Sequence, residues 1–173
     1  MSASEFDGRD NGGGSMRKRI IDGDDAGLPA ESDAGRLNLR EIATVEVTSE
    51  DERFPIETVF AGNEGPGWRA AQPGKQIIRI IFDEPTAVRR IRLRFDEPEM
   101  ERTQEFTLSW CTAAGSCKEI VRQSWNFSQA ATAEIEDYRV NLEGVAVLEL
   151  AIQPDISRKD GLATLSSWLV WGG

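Results

Sequence analysis

The stretch KQIIRIIFDEPTAVRRIRLRF, from Lys75 to Phe95, is the most informative part of the sequence about the fold. Its first part, Gln76 to Phe82, is nearly continuous in isoleucine. Such a run is typical of a central strand that is buried on one face and partly covered on the other. In its last part Ile91, Leu93 and Phe95 alternate with arginines, which places the apolar side chains on the inner face of a strand. The stretch therefore predicts two half-buried strands separated by a turn.

The arginines of this stretch, Arg90, Arg92 and Arg94, fall on the opposite face of the predicted strand. Alternation on a strand predicts that they form the solvated side of a sheet, with Glu105 and Glu119 from neighbouring strands as ion-pair partners. A phosphate-binding face is the sharper alternative. The acidic balance of the whole chain disfavours it.

The rest of the chain from residue 38 to residue 173 shows the same pattern of short apolar runs. Alternating or continuous apolar runs recur as IATVEVTS, QEFTLSWC, CKEIVRQS, EDYRVNL, VAVLELAI and LSSWLVW, with prolines only in the breaks between them. This gives about eight short strands in one domain. We predict an all-β fold, an antiparallel β-sandwich of the jelly-roll type, over residues 38–173.

Residues 1–37 read differently, because seven of the 16 glycines lie there among many acidic and few large apolar residues. Such a segment buries too little surface to offset its ordering entropy, so we predict a flexible N-terminal arm. Its one patterned piece is RKRIIDGDD, Arg17 to Asp25, whose Ile20 and Ile21 are able to add an edge strand.

Composition narrows the function classes. The 173 residues include no histidine, which removes histidine-based nucleophile pairs, general bases and metal ligands, and we expect no enzyme activity. The formal net charge of -10 argues against nucleic acid as a partner and against insertion into anionic membranes. The N-terminus lacks the order of a signal peptide, and no apolar run approaches a spanning helix. We expect a cytoplasmic location.

The two cysteines, Cys111 and Cys117, stand in CTAAGSC across a predicted hairpin turn. They are too few for a metal site of their own. A cross-strand disulfide and a redox pair are open alternatives, and a reduced pair of thiols is favoured for a cytoplasmic chain.

The glycine-rich run FAGNEGPGWRAAQPGKQ, Phe60 to Gln76, is not a phosphate-binding loop. It has no Lys-Ser or Lys-Thr pair, and it does not lead from a strand into a helix. We interpret it as a turn-rich connection whose Trp68 plugs one end of the sandwich.

The order of these motifs resembles a known family. VEVTSE, FAGNEGPGWRA, the stretch from Lys75 to Phe95, EFTLSWCTAAGSCKEI, YRVNLEGVAVLELAI and LATLSSWLVWG follow one another as do the strands of the discoidin, or coagulation-factor type C, family. This family belongs to the galactose-binding-like β-sandwich superfamily. The resemblance covers roughly three quarters of the chain, Thr44 to Trp171. It implies a binding module that takes sugars, lipids or proteins through loops at one rim.

Departures from the family pattern bear on metals. Asn63 followed by Glu64 replaces the usual Asp-Gly, and the Ser166–Ser167 pair replaces the usual glutamate of the last strand. Relatives often hold a structural calcium between those places, and here the set of oxygen ligands is incomplete. We therefore expect no metal and no cofactor.

Three connections should share one end of the sandwich, which we call the rim: TSEDERFPIET, DEPEMERT and QPDISRKDG. Sugar recognition needs groups that bond hydroxyls and an aromatic face for the ring. On the rim these candidates are Arg53, Phe54, Arg102, Arg158 and Asp160. The sequence thus predicts a non-catalytic carbohydrate-binding module. The alternative is a protein-interaction or assembly module that uses a sheet face or the N-terminal arm.

Overall fold

The computed structural model describes residues 33–62 and 65–173. Within them, Ala34–Gly173 forms one compact unit. Most of the predicted N-terminal arm, including the RKRIIDGDD piece, lies outside the described residues, so that prediction stays a prediction. Its last residues lie beside the final strand: Arg36 forms a β-bridge with Trp171, and the Leu37 amide donates to the Val170 carbonyl at 2.9 Å.

The predicted all-β class is confirmed, with eight strands in the described residues. They are β1 (Ala43–Val47), β2 (Trp68–Arg69), β3 (Gln76–Asp96), β4 (Arg102–Thr112), β5 (Cys117–Phe127), β6 (Ala133–Gln153), β7 (Thr164–Leu165) and β8 (Ser167–Trp171). A short helix, α1 (Leu39–Ile42), precedes β1, and a 3-10 helix spans Ile56–Phe60. No described helix is long and apolar enough to cross a membrane.

The two long strands, β3 and β6, build both layers of the sandwich. They pair antiparallel over almost their whole length, with register shifts between Ile81 and Arg90 where the ribbon turns from one layer into the other. Before the shifts the order is β1-β3-β6-β4-β5, and beyond them β8 joins β3. The two strands predicted on either side of the DEPTA turn are therefore halves of one bent strand.

The core lies between the layers. Ile91, Leu93 and Phe95 are fully buried as predicted, and they belong to the same core cluster as Phe106 and Leu108 of the other layer. The rings of Phe95 and Phe106 stack with centroids 5.2 Å apart. This burial of large side chains from both layers supplies the main driving force for the sandwich.

The outer-face arginines find acidic partners, although not the predicted ones. Arg90 pairs with Asp137, which lies on the neighbouring β6, and Arg94 pairs with Asp96 at 2.8 Å. Glu105 and Glu119 instead pair with Arg122. The expected partners were wrong because the half of β3 that holds the arginines lies in the other layer from β4 and β5.

Both tryptophans of the last strand are buried, Trp168 fully and Trp171 with 5% exposed. Trp168 belongs to the core cluster. Trp171 is covered by the guanidinium of Arg90 at 4.5 Å from its ring and by the bridge to Arg36. It therefore lies against the end of the predicted arm instead of in solvent.

Cys111 and Cys117 form a disulfide, so the preference for reduced thiols was wrong. The two residues lie directly opposite each other across the β4–β5 hairpin, with Cα atoms 4.1 Å apart. This juxtaposition is a consequence of the hairpin register, which the turn residues alone do not fix.

Trp68 closes one end of the core, as predicted from the glycine-rich run. Its side chain is 1% exposed, and its indole nitrogen donates to the Ser49 carbonyl at 3.2 Å. Strand β2 pairs with β7 through Trp68 and Leu165, which fixes the loop between β1 and β3 against the loop after β6.

The three predicted rim connections do share one end. Gln76 and Glu105 lie opposite Ile152 and Gln153 of β6, and β1 ends at Val47 beside the same end of β3. The loops after β1, before β4 and after β6 therefore leave the five-stranded layer together. The prediction of a shared rim is thus correct as a statement of topology.

We expect two glycines of the run, Gly67 and Gly74, to differ in their sensitivity to substitution. Gly67 has a φ of 77°, and a Cβ there would lie 2.8 Å from the Leu165 carbonyl oxygen. Gly74 has a φ of 86°, and a Cβ added there would have no atom within 4 Å. Denaturant unfolding should show Gly67→Ala losing about 2–4 kcal/mol and the control Gly74→Ala about 1 kcal/mol. Equal losses would contradict the packing described for Trp68 and β7.

Candidate functional site

The five predicted site residues all lie on the rim, but they do not converge on one pocket. Arg102 and Arg158 line the same cavity. Arg53 and Phe54 belong to the loop after β1 and line a different part of the rim, and the exposed Asp160 does not contact the cavity. The structure therefore brings two of the five together.

The cavity, which we call the rim pocket, has a volume of about 370 Å³. It is bounded by the start of β4, the end of β5 and the loop after β6. Its lining residues are Glu101, Arg102, Thr103, Asn126, Phe127, Ser128, Asp155, Ser157 and Arg158.

Arg102 forms the floor of the rim pocket and is buried, with its side chain 2% exposed. Its guanidinium pairs with Glu97 at 3.1 Å, donates to the Leu162 carbonyl at 3.0 Å and donates to the Thr164 hydroxyl at 3.3 Å. It also lies over the Phe127 ring, 5.5 Å from the centroid. Arg102 thus ties the loops of the rim to β5 instead of standing in solvent as a loop residue.

Burial leaves the charge of Arg102 dependent on its acidic neighbours. Desolvation lowers the pKa of the guanidinium, and the carboxylates of Glu97 and Asp155 act in the opposite direction. Its Nε has no hydrogen-bond partner among the described residues. The floor of the pocket is therefore a cation held between two carboxylates.

Two polar side chains of the pocket wall are oriented by the protein itself. The Asp155 Oδ1 accepts from the Ser157 amide at 2.9 Å, which leaves Oδ2 as the second acceptor. The Thr103 hydroxyl donates to the Asn126 Oδ1 at 2.7 Å, so the donors that Asn126 offers a ligand are on its amide nitrogen. Both side chains are held in place before any ligand arrives.

Arg158 stands at the mouth of the pocket. It is exposed, and within the described part of the chain it makes no ion pair or hydrogen bond. Glu101, also exposed, is an acidic residue of the same lining and belongs to a different loop. The mouth therefore offers one cation and one anion to a ligand.

Phe54 is engaged by the protein and not presented as an open stacking face. The Arg69 guanidinium lies 4.5 Å from its ring centroid and that of Arg53 lies 5.7 Å away. Arg53 is in turn bonded to Asp51 through two nitrogens at 3.0 and 2.7 Å, and this hydrogen bonding lowers the pKa of Asp51 to about 2. The predicted pair of Arg53 and Phe54 forms its own small cluster.

Sequence reasoning missed Asn126, Ser128 and Asp155. Asn126 and Ser128 reach the pocket because the pairing of β4 with β5 sets Arg102 opposite Phe127. That register contains an irregularity near Leu108, so counting back from the hairpin turn does not recover it.

Of the two places at which the resemblance implies calcium, only the second lies among the described residues, so the expectation about metal stays a prediction. Asn63 and Glu64 lie outside the described residues. At the second place, the Ser166 amide donates to the Arg94 carbonyl at 2.8 Å, beside the Arg94–Asp96 ion pair. Among the described residues, no group of three or more acidic or cysteine side chains is arranged to hold a metal ion.

A second polar cluster lies in the core beside the pocket floor. Gln104, two residues after Arg102 on the same face of β4, donates from Nε2 to the Glu134 Oε2 at 3.4 Å, and both side chains are buried. Burial, reinforced by the nearby Glu136, raises the pKa of Glu134 to about 8. The Oε1 atoms of Gln104 and Glu134 have no partner in the described structure, and a protonated Glu134 supplies the donor that such a pair needs.

No protein-family model matches the sequence, and no curated protein matches it. Solved structures do match. The family 32 carbohydrate-binding module of NanJ from C. perfringens, in complex with galactose, has a TM-score of 0.60 and 12% identity, covering 79% of this chain and 98% of that chain. The family 32 module of AlyQ, in complex with 4,5-unsaturated mannuronic acid, has a TM-score of 0.56 and 16% identity, covering 76% and 96%.

A truncated AlyQ that contains both this module and an alginate lyase domain also matches, with a TM-score of 0.56 and 17% identity, covering 76% of this chain and 33% of that chain. At these identities the likeness shows the fold alone, a β-sandwich like that of these family 32 carbohydrate-binding modules. The assignments to the galactose-binding-like superfamily and to the discoidin family stay predictions.

The Glu134 carboxyl should make stability depend on pH. Because the pKa of Glu134 is higher in the folded than in the unfolded protein, this residue does not reduce the free energy of unfolding below about pH 4.5. As pH rises from 4.5 towards 8, the free energy of unfolding falls, since the unfolded chain loses this proton more readily than the folded one. Glu134→Gln removes that loss of stability. We expect its Tm to equal that of the unsubstituted protein at pH 4.5 and to be about 3–6 °C higher at pH 8.

Glu105→Gln, which removes one carboxylate from a half-buried position of the same sheet, is the control and should show no such divergence. Calorimetric curves for Glu134→Gln that stay parallel to those of the unsubstituted protein from pH 4.5 to pH 8 would contradict the protonated state of Glu134.

Proposed function

We propose that this domain is a non-catalytic carbohydrate-binding module that holds a sugar in the rim pocket. The observation that carries the proposal is the preset polar lining of that pocket, in which Asp155 and Asn126 are oriented by neighbouring protein atoms. A site of this kind loses little conformational entropy on binding, because its groups are already ordered.

The lining matches the chemistry of a sugar ring. Each hydroxyl both donates and accepts hydrogen bonds. The Asp155 and Glu101 carboxylates accept, while the Arg158 guanidinium and the Asn126 amide nitrogen donate. Hydrogen bonds to charged groups are about twice as strong as neutral ones, so this set favours a hydroxyl-rich ligand. The volume lies near the lower end of the roughly 300–1,000 Å³ that ligand pockets span, which suits a short ligand.

The similar structures support the same class of ligand. The NanJ module is in complex with galactose and the AlyQ module with an unsaturated mannuronic acid. In AlyQ the module accompanies a separate alginate lyase domain, which supports a binding role distinct from catalysis. The absence of histidine from this chain points the same way.

A second candidate is a protein-interaction module, and one feature of the rim favours it. Met100, Ile156 and Leu162 are among the large apolar residues that are exposed in the described chain, at 48%, 56% and 38%. Met100 is two residues before Arg102 in the chain. The Leu162 carbonyl accepts a hydrogen bond from Arg102, and the Ile156 amide donates one to the Thr103 carbonyl. Light scattering of the purified domain, alone and with extract fractions, tests for self-association or a stable complex.

The cytoplasmic location stays a prediction, and the disulfide of Cys111 and Cys117 is the observation against it. Such bonds persist mainly in oxidising compartments. Mass spectrometry of the native protein after thiol alkylation distinguishes the two states of the cysteines.

The binding proposal predicts losses at two residues. Arg158→Ala and Asn126→Ala should each weaken binding to the best ligand on a glycan array by about tenfold, because each removes a donor from the pocket. Arg122→Ala is the control, since Arg122 is an exposed arginine of β5 whose partners are Glu105 and Glu119. Unchanged affinity in both pocket variants, or no glycan bound by the unsubstituted domain, would overturn the proposal.

A further inference from the structure

We infer that the rim pocket selects uncharged sugars and discriminates against sugars that bear a carboxylate, such as uronic acids. This inference deepens the proposed function and rests on it. The fold does not settle the choice, because similar structures are in complex with the neutral sugar galactose and with an acidic sugar, unsaturated mannuronic acid. The charges in the pocket of this chain decide it.

The floor of the pocket offers no unpaired positive charge to a ligand. The guanidinium of Arg102 is its buried cation, and it interacts with the carboxylates of both Glu97 and Asp155. Asp155 is 5% exposed and lines the cavity. A ligand carboxylate placed against this floor meets the Asp155 carboxylate, while the guanidinium beside it is already paired with Glu97. The two like charges repel, and more strongly beside a buried group than in bulk water.

The mouth of the pocket does not reverse this balance. Arg158 is a cation that is able to attract a carboxylate, but it is exposed, and exposed ion pairs contribute little. Glu101, exposed in the same lining, offsets its charge. The whole chain has a formal net charge of -10. The field around the pocket therefore opposes the approach of an anion.

A neutral ring meets the same groups favourably. A sugar hydroxyl donates to the Asp155 carboxylate and forms a charge-assisted hydrogen bond in a site that Ser157 has already oriented. Replacing the CH2OH group of a hexose by COO⁻ removes a donor and adds a negative charge. Discrimination then arises from repulsion of the wrong ligand as much as from attraction of the right one.

The test uses ligand pairs that differ in this one group. One member is the methyl glycoside of galactose, glucose or mannose, and the other is the methyl glycoside of the corresponding hexuronic acid with its carboxylate free. Dissociation constants are measured by NMR titration of the full chain at low salt. We expect at least one neutral member to bind, with its uronate weaker by about tenfold or more, and the ratio to narrow as salt is raised.

Variants localise the effect. Glu101→Gln and Asp155→Asn should each bring the uronate-to-neutral ratio of dissociation constants closer to one, whereas Glu99→Gln, which changes the net charge equally outside the lining, should leave it unchanged. Glu101→Gln replaces an exposed side chain, so it remains informative even if Asp155→Asn unfolds the domain.

The outcomes separate the two claims. A uronate that binds as tightly as its neutral partner, or a ratio that moves equally in all three variants, overturns the charge selection and leaves the carbohydrate proposal standing. Binding of neither member of any pair overturns the carbohydrate proposal, and the selectivity falls with it.

Discussion

Pairing of β3 with β6 along almost their whole length holds the two layers of the sandwich together. Because this ribbon bends at its register shifts, one pair of strands supplies the centre of both layers. The bend also returns the far end of the ribbon to the rim: Glu97 directly follows β3 and pairs with Arg102 at the start of β4. The isoleucine and leucine side chains between the layers provide the stabilisation.

Arg102 shows how the fold and the candidate site share residues. Its guanidinium contacts Glu97, Leu162, Thr164 and Phe127, which belong to different segments of the rim. A buried arginine with these partners stabilises the loops against one another, and an unpaired one would be costly. The same guanidinium, together with the carboxylates of Glu97 and Asp155, sets the electrostatic character of the pocket floor. Loop arrangement and ligand preference are therefore properties of one interaction network, and neither is expected to vary without the other.

Much of the fold could be predicted from the sequence, because burial on alternate positions of a strand is a local property. Ile91, Leu93 and Phe95 illustrate this, and Trp68 closes the core where the glycine run indicated. The shared rim could also be predicted, because strands that alternate in direction bring alternate connections to the same end of a sandwich. Properties that depend on pairing between distant strands could not be predicted in the same way. The register of β4 with β5 places Cys111 opposite Cys117 and brings Asn126 to the pocket, and neither fact is visible in a single strand.

Whether the rim pocket is the binding site is best tested by a backbone and side-chain NMR titration of the domain with a mixture of neutral methyl hexosides. We expect the largest shifts on the amides of residues 101–103, 126–128 and 155–158, together with the Asn126 side-chain amide, and no effect on the Cys111–Cys117 hairpin. Shifts centred on the Phe54 cluster or on an outer sheet face, with none in the rim pocket, would show that the site lies elsewhere.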